Sequence, residues 1–185
     1  MKRLALCFIL ISSFAIGAIA QSRSKRVVQK KAQSASALRK VDFKNFDYGQ
    51  LCDSQDRLVL RKGRQQTGEG EMDYVQLSSV KYIDFDNDGN EEALVVIDGS
   101  TSGSSGSYLV VYVFAYRNGS AQQIWSKCNE RSSVILRGRS ILFTYPEYVG
   151  NDPHCCPSYI TTDTYSWRGS GLARISKRRR SSGYK

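Results

Sequence analysis

The chain has 185 residues and a formal net charge of +10, from 27 lysines and arginines against 17 acidic residues. This length suits one domain with a substantial hydrophobic core. All the acidic residues lie between residues 41 and 173, where they outnumber the basic ones. The positive charge therefore belongs to the two ends of the chain, which excludes a uniformly basic domain, and no specific nucleic-acid binding is expected.

The first 20 residues have the parts of a secretory signal peptide. Lys2 and Arg3 precede an apolar stretch from Leu4 to Ala15, and the segment ends in Ala18-Ile19-Ala20, an A-x-A cleavage pattern. The apolar stretch is shorter than the ~20 residues of a membrane-spanning helix. We predict cleavage after Ala20, a secreted, periplasmic or extracellular location, and no transmembrane segment after cleavage. An uncleaved N-terminal anchor is the alternative.

Two basic segments flank the body of the chain. Residues 21–40 and residues 177–185 contain lysine and arginine, no acidic residue and little apolar periodicity. Such composition is typical of disorder. We therefore predict a disordered basic linker over residues 21–40, a single β-rich domain over residues 41–176, and a disordered basic tail from residue 177. These basic segments either keep the protein soluble or bind an anionic polymer or membrane of the cell envelope.

The body of the chain reads as a series of strands. From residue 57 onward, short β-branched and aromatic runs are separated by turn residues, and only Phe43–Leu51 has a possible helical period. We predict a mainly β fold with little helix, a small antiparallel sheet or sandwich of about 7–9 strands stapled by disulfides. The predicted strands are Arg57–Arg61, Tyr74–Phe85, Glu92–Asp98, Tyr108–Arg117, Gln122–Lys127, Ser133–Leu136, Ser140–Tyr145, Tyr159–Trp167 and Leu172–Ile175.

One predicted hairpin has a specific turn signal. The run Tyr108–Tyr116 is apolar on both faces, which predicts a central strand. Asn118-Gly119 follows it and favours a type I′ turn, so we expect this strand to pair with the run through Trp125. The same asparagine begins a glycosylation sequon, Asn-Gly-Ser, but the tight turn is the preferred explanation.

Four cysteines remain after the predicted cleavage: Cys52, Cys128, Cys155 and Cys156. An even number in an exported chain predicts two disulfides. A bond between the adjacent Cys155 and Cys156 would strain the local geometry. We therefore expect Cys52 and Cys128 each to pair with one member of this doublet. A zinc or copper site that includes His154 is a weaker alternative, since no spacing for a closed tetrahedral site is present.

The densest group of metal-ligand residues lies between two predicted strands, in the segment Asp84–Glu92. Carboxylates at alternate positions can converge on one ion, while a glycine at the sixth position permits the sharp turn. Calcium is the cation that suits such hard oxygen ligands outside the cell. A metal-free turn is the alternative, since Asp and Asn also favour turns. The predicted calcium ligands are Asp84, Asp86, Asp88, the Asn90 carbonyl and Glu92.

The pattern apolar strand, D-x-D-x-D-G-x-x-E, apolar strand resembles the calcium loops of FG-GAP or VCBS-type repeats, and this resemblance implies calcium at the same residues. Only one copy occurs, so a propeller of several blades is not implied. The wider chain resembles secreted bacterial proteins of the LppP/LprE-like lipoprotein type, through Asp88–Ala93, Cys155–Ser158 and Tyr165–Trp167. The chain departs from that type because it lacks a lipobox. The resemblance implies an exported protein of no established activity.

No set of residues forms a recognisable active site. His154 is the single histidine, and nucleophile-elbow, phosphate-loop and zinc-protease motifs are missing. We predict an exported, non-enzymatic β-domain with a structural calcium ion and a role as a binding scaffold. One alternative is an envelope-associated protein that binds anionic polymer or membrane through its basic tails. Another is a secreted hydrolase with an unrecognised site, whose candidate carboxylates are Glu69, Glu71, Glu130 and Glu147.

Overall fold

A computed structural model of the chain describes residues 37–50, 57–65, 74–100 and 107–183. These residues are mainly β, as predicted, and form eleven strands in three antiparallel sheets. Only Ala37 and Leu38 are helical among them. The strands are β1 (Asp47–Gln50), β2 (Arg57–Val59), β3 (Arg64–Gln65), β4 (Tyr74–Ile83), β5 (Glu92–Ser100), β6 (Ser107–Arg117), β7 (Ser120–Glu130), β8 (Ser133–Arg137), β9 (Ser140–Glu147), β10 (Tyr159–Arg168) and β11 (Gly171–Ser181).

The sheets are simple meanders in which neighbours along the chain are neighbours in space. Strands β1 and β2 form a two-stranded sheet, β3 to β7 form a five-stranded sheet in chain order, and β8 to β11 form a four-stranded sheet in chain order. Such a layout needs only short connections between antiparallel strands. Within the described ranges, no helix has the length and apolar character needed to cross a membrane.

The five-stranded sheet is the middle layer of the molecule, because β5 and β6 are buried on both faces. Alternate residues point to opposite faces of a strand. Val95 and Tyr112 lie in a core cluster shared with the N-terminal segment, which is residues 37–50 and 57–60 of the described chain. Leu94 and Val111 lie in a second cluster, shared with the four-stranded sheet. The prediction of a central strand at Tyr108–Tyr116 is therefore confirmed.

Aromatic side chains attach the N-terminal segment to one face of the middle sheet. Phe43 lies 5.4 Å from Phe114 between ring centroids, and Tyr48 stacks on Tyr112 at 5.2 Å. Burial of such rings is a major source of stability. The possible helix at Phe43–Leu51 does not form over the described part of that range, where the chain makes turns and β1 instead. The aromatic spacing serves these ring contacts and not a helical stripe.

The second apolar layer holds the four-stranded sheet against the middle sheet. Ile141 and Phe143 of β9 are fully buried in this layer, and Trp125 of β7 packs edge-on against Tyr165 of β10 with centroids 4.9 Å apart. Each predicted strand overlaps an observed strand. The prediction of about 7–9 strands is slightly low, because β1 and β3 have only four and two residues and carry little periodic signal.

The basic C-terminal segment differs from its prediction. Residues 177–181 were expected to begin a disordered tail, but β11 continues through Ser181 and pairs with β10 along its whole length. Composition alone misses this pairing, which brings Lys177 and Arg179 within 3.6 Å and 3.3 Å of the Glu147 carboxylate. Positive charge also suits an edge strand, because it discourages pairing with further chains.

The predicted hairpin turn between β6 and β7 is confirmed. Asn118 and Gly119 have positive φ values of 52° and 83°, and Arg117 pairs with Ser120 across the turn. Positive φ at both central positions is the mark of a type I′ turn.

Replacing Gly119 with alanine should lower the free energy of unfolding by about 1 kcal/mol, because a Cβ disfavours its positive φ. The space around this glycine is open, so the cost comes from the backbone alone. Gly171→Ala is the matched control, since that glycine also has open space but no positive φ. Thermal melting of both variants checks the prediction. Equal melting temperatures for the two variants would contradict it.

Candidate functional site

The predicted calcium loop connects β4 to β5 at one end of the middle sheet. Ile83 and Glu92 are paired across the two strands, so the residues between them form a closed loop. Phe85, the second residue of this loop, is 3 % exposed and belongs to the apolar layer between the two larger sheets. The loop is thus anchored in the core while its polar side chains stay near the surface.

Three of the predicted ligands come together in this loop. One carboxylate oxygen from each of Asp84, Asp86 and Asp88 lies within 4.8 Å of the other two. Positive φ values of 63° at Asn87 and 85° at Gly89 coil the backbone tightly enough to bring alternate side chains together. The requirement for a glycine at the sixth position, inferred from the sequence, has its physical basis here.

Backbone amide groups orient these carboxylates. The Asp88 amide donates to Asp84 Oδ1 at 3.1 Å and to Asp86 Oδ1 at 3.0 Å, and the Gly89 amide donates to Asp84 Oδ2 at 3.0 Å. Asn90 donates its backbone amide to Asp88 Oδ1 at 2.6 Å and its side-chain amide to Oδ2 at 2.8 Å. The loop therefore holds its carboxylates in place through its own hydrogen bonds.

Glu92 lies apart from the three close carboxylates, on the core side of the loop. It is 5 % exposed, and its Oε2 accepts a hydrogen bond from the Phe85 amide at 3.0 Å. Burial raises the pKa of Glu92 to about 7, and the negative charges of the three loop aspartates act in the same direction. Burial also raises the pKa of Asp86, with further contributions from Asp88 and Asp84. Burial and the mutual repulsion of neighbouring carboxylates therefore both disfavour the ionised forms of Asp86 and Glu92.

Two arginines from distant parts of the chain contact the loop, and sequence reasoning missed both. Arg39 makes a two-pronged ion pair with Glu91, at 2.7 Å and 2.8 Å, which lowers the pKa of that carboxyl. Arg139, in the turn between β8 and β9, donates to Asn87 Oδ1 at 2.6 Å. The loop is therefore connected to the N-terminal segment and to the four-stranded sheet. Neither guanidinium pairs with the three clustered aspartates.

The cysteine prediction needs a correction. The sulfur atoms of Cys155 and Cys156 lie at disulfide distance of each other, so neither is available to Cys52 or Cys128 as predicted. The two cysteines lie in a local turn, in which the Cys156 amide donates to the Pro153 carbonyl at 2.9 Å. Cys128 is also disulfide-bonded. Cys52 lies outside the described residues.

The predicted hydrolase carboxylates do not form a pair in the described part of the chain. Glu147 accepts a hydrogen bond from Thr161 at 2.6 Å and faces two cations, and Glu130 lies 3.9 Å from His154. Glu69 and Glu71 lie outside the described residues. The buried carboxylates described are Glu92 in the middle sheet and Asp163 in the four-stranded sheet.

Asp163 is a second feature that sequence reasoning missed. It is fully buried on β10, and its Oδ2 accepts hydrogen bonds from the hydroxyls of Tyr165 at 3.2 Å and Tyr145 at 3.3 Å. Arg174 approaches the same oxygen at 3.5 Å. Burial and the Asp163 charge raise the pKa of Tyr165 to about 12. An aspartate at an inward position of an alternating strand is the signal that could have identified it.

Comparison with known proteins gives no relative: the chain matches no protein-family model, no curated protein and no solved structure. The resemblances to FG-GAP or VCBS-type loops and to LppP/LprE-like proteins stay predictions.

Proposed function

We propose that this protein is an exported, non-enzymatic binding scaffold whose β-domain is stabilised by one calcium ion in the loop Asp84–Glu92. The observation that carries the proposal is the cluster of Asp84, Asp86 and Asp88, whose carboxylate oxygens lie within 4.8 Å of one another. Three negative charges at such distances repel one another. A divalent cation among them offsets this repulsion, because each carboxylate is attracted to the ion.

The chemistry of the ligand set favours calcium. The loop offers carboxylate oxygens from the three aspartates and the Asn90 carbonyl, and it contains neither histidine nor cysteine. Oxygen-only sites suit calcium, whereas nitrogen and sulfur ligands suit zinc and copper. Glu92 joins the set directly or through a water molecule once it has lost its proton.

The proposed role of the ion is structural. The loop connects β4 to β5, contributes Phe85 to the apolar layer between the larger sheets, and contacts Arg139 at the end of the four-stranded sheet. A calcium ion that binds only the folded loop stabilises the fold by about 2.7 kcal/mol at a concentration one hundred times its dissociation constant. Calcium would thus hold the two larger sheets at the loop end of the domain.

The proposed export agrees with the cysteine chemistry. The signal-peptide pattern at residues 1–20 predicts passage out of the cytoplasm. Disulfides persist in oxidising compartments, and the described part of the chain has Cys128 in a disulfide and the Cys155–Cys156 pair at disulfide distance. Calcium is also plentiful outside cells, where a structural site of modest affinity stays filled.

The double substitution Asp86→Asn and Asp88→Asn tests the proposal. Calcium should raise the melting temperature of the unmodified chain by about 5–10 °C over the chelator-treated state. The variant should show no such rise, because it lacks two of the three clustered charges. Thermal melting in calcium and in chelator measures both quantities.

The matched control is the double substitution Asp98→Asn and Glu130→Gln, which removes two negative charges outside the loop. This control should keep the full response to calcium. A response retained by the loop variant, or lost equally by the control, would overturn the proposal, because calcium would then act through general charge and not through the loop.

A further inference from the structure

The outer face of the four-stranded sheet is the face turned away from the middle sheet, and it carries a group of arginines. Alternation along β9 turns Phe143 into the core and Leu142 to the outer face. The cross-strand register places Arg178 beside Thr162 and Ser176 beside Thr164. The basic run of β11 is therefore divided between the two faces of the sheet, which a disordered tail would not do.

The two sets of basic residues have different partners. On the inner side, Lys177 and Arg179 both pair with Glu147, at 3.6 Å and 3.3 Å. Arg179 also lies 3.5 Å from the centroid of the Tyr159 ring. Both cations thus have partners within the fold and share the single negative charge of Glu147.

On the outer side the positive charges are not compensated. Arg178 and Arg180 of β11, and Arg137 at the far edge of the sheet on β8, form no ion pair with any carboxylate of the described residues. Edge protection accounts for charge on either edge strand, β11 or β8, but not for three cations on the same face of the sheet without a carboxylate partner. A shared ligand accounts for that arrangement.

These three arginines line one groove with a volume of about 660 Å³, and Arg179, which pairs with Glu147, lines it as well. The hydroxyls of Thr162, Thr164 and Ser176 also line it, and Leu142 and Ile160 give it an apolar strip. None of the lining residues is acidic or aromatic. Guanidinium groups bind carboxylate and sulfate groups through paired hydrogen bonds, and hydroxyls bind other hydroxyls.

We propose that this groove, the outer groove, binds an anionic polysaccharide. Arg137, Arg178 and Arg180 bind its carboxylate or sulfate groups, and the threonine and serine hydroxyls bind its sugar hydroxyls. A single-stranded nucleic acid would need aromatic side chains on which its bases stack, and the groove lining has none. A membrane presents a flat surface of headgroups, which matches a recessed groove less well than an extended chain does.

Binding of the full chain to heparin and to polygalacturonate tests the proposal, with neutral dextran, oligo(dT) and anionic phosphatidylglycerol vesicles as the other probes. Arg178→Gln with Arg180→Gln should weaken polysaccharide binding by about 10-fold or more. The matched control, Lys177→Gln with Arg168→Gln, removes the same charge from the same sheet and should change binding by about 2-fold at most, since neither residue lines the groove. Arg137→Gln should weaken binding several-fold despite its distance along the sequence.

The proposal is overturned by equal losses in the two double variants, because binding would then depend on net charge alone. It is overturned equally by an unchanged affinity of the Arg137→Gln variant, which would assign binding to β11 without the groove. Binding to oligo(dT) or vesicles in preference to both polysaccharides would assign the surface to a different partner. The exposed positions of all five residues let melting temperature serve as the folding control.

Discussion

Replacing Glu92 with glutamine should stabilise the calcium-free protein at pH 8 by about 3 kcal/mol. Burial raises the pKa of this group to about 7 in the folded state, from 4.5 in the absence of such effects. The folded protein therefore holds the Glu92 proton more tightly than the unfolded chain does. The resulting stability is fully present below about pH 4.5 and is lost as the pH rises through about 7. Glutamine stays uncharged and does not incur this loss.

Denaturant unfolding in chelator between pH 4.5 and pH 8.5 measures the effect. The unmodified chain should lose stability relative to Glu92→Gln as the pH rises. Glu91→Gln is the control, because Arg39 lowers the pKa of Glu91, so that the stability from this group is lost only as the pH falls below about 4.5 and stays constant as the pH rises through 7. Parallel stability curves for Glu92→Gln and the unmodified chain would contradict the electrostatic account of the loop.

Calcium should reverse the order of stability of the unmodified chain and the Glu92→Gln variant. A bound cation favours the ionised form of Glu92, so saturating calcium should stabilise the unmodified chain more than the glutamine variant. The same residue then destabilises the empty loop and stabilises the filled one. This opposite response to calcium distinguishes a metal loop from an ordinary acidic turn.

Replacing Phe143 with alanine should cost about 3–5 kcal/mol of unfolding free energy. The ring is fully buried between the two larger sheets, so its removal leaves a cavity that the surrounding strands cannot readily close. The adjacent substitution Leu142→Ala, on the outer face, should cost about 1 kcal/mol or less. Denaturant unfolding of the two variants measures the difference.

A similar cost at positions 142 and 143 would contradict the face assignment of β9. The four-stranded sheet would then not pack on the middle sheet through this face. The comparison also bears on the outer groove, because the groove requires Leu142 to lie on the opposite side of the sheet from Phe143.

Much of the fold could be predicted because it follows from local rules. The run Tyr108–Tyr116 is apolar at every position along both faces, and the structure buries it between two apolar layers. Asn118-Gly119 tolerates the two positive φ values that a type I′ turn demands. In both cases the sequence signal is local: the apolar pattern of one strand or the residue types of one turn is enough to predict the structure.

Two predictions were wrong, those for the C-terminal tail and for the disulfides. One depends on a distant strand partner and the other on an unusual local geometry. Residues 177–181 have the composition of a tail, and only pairing with β10 and Glu147 makes them a strand. The prediction for the adjacent cysteines Cys155 and Cys156 rests on average disulfide geometry, which leaves out the turn that begins at Pro153. Neither amino-acid composition nor average disulfide geometry contains information about such pairing or such a turn.

The candidate site divides in the same way. Asp84, Asp86 and Asp88 could be identified from spacing, because one tight turn brings them together. The arginines that contact the loop, Arg39 and Arg139, lie 52 residues from their partners along the chain. Only the packing of the N-terminal segment and the four-stranded sheet around the loop brings them there.

Calorimetric titration of the metal-free chain with calcium tests the central claim most directly. The account predicts one calcium ion per chain, released protons near pH 7 from Glu92, and loss of binding in the Asp86→Asn, Asp88→Asn variant. No heat of binding at millimolar calcium, or the same binding curve for the variant, would contradict it. The loop would then be a metal-free turn, and the stability of the domain would rest on its two apolar layers and its disulfides.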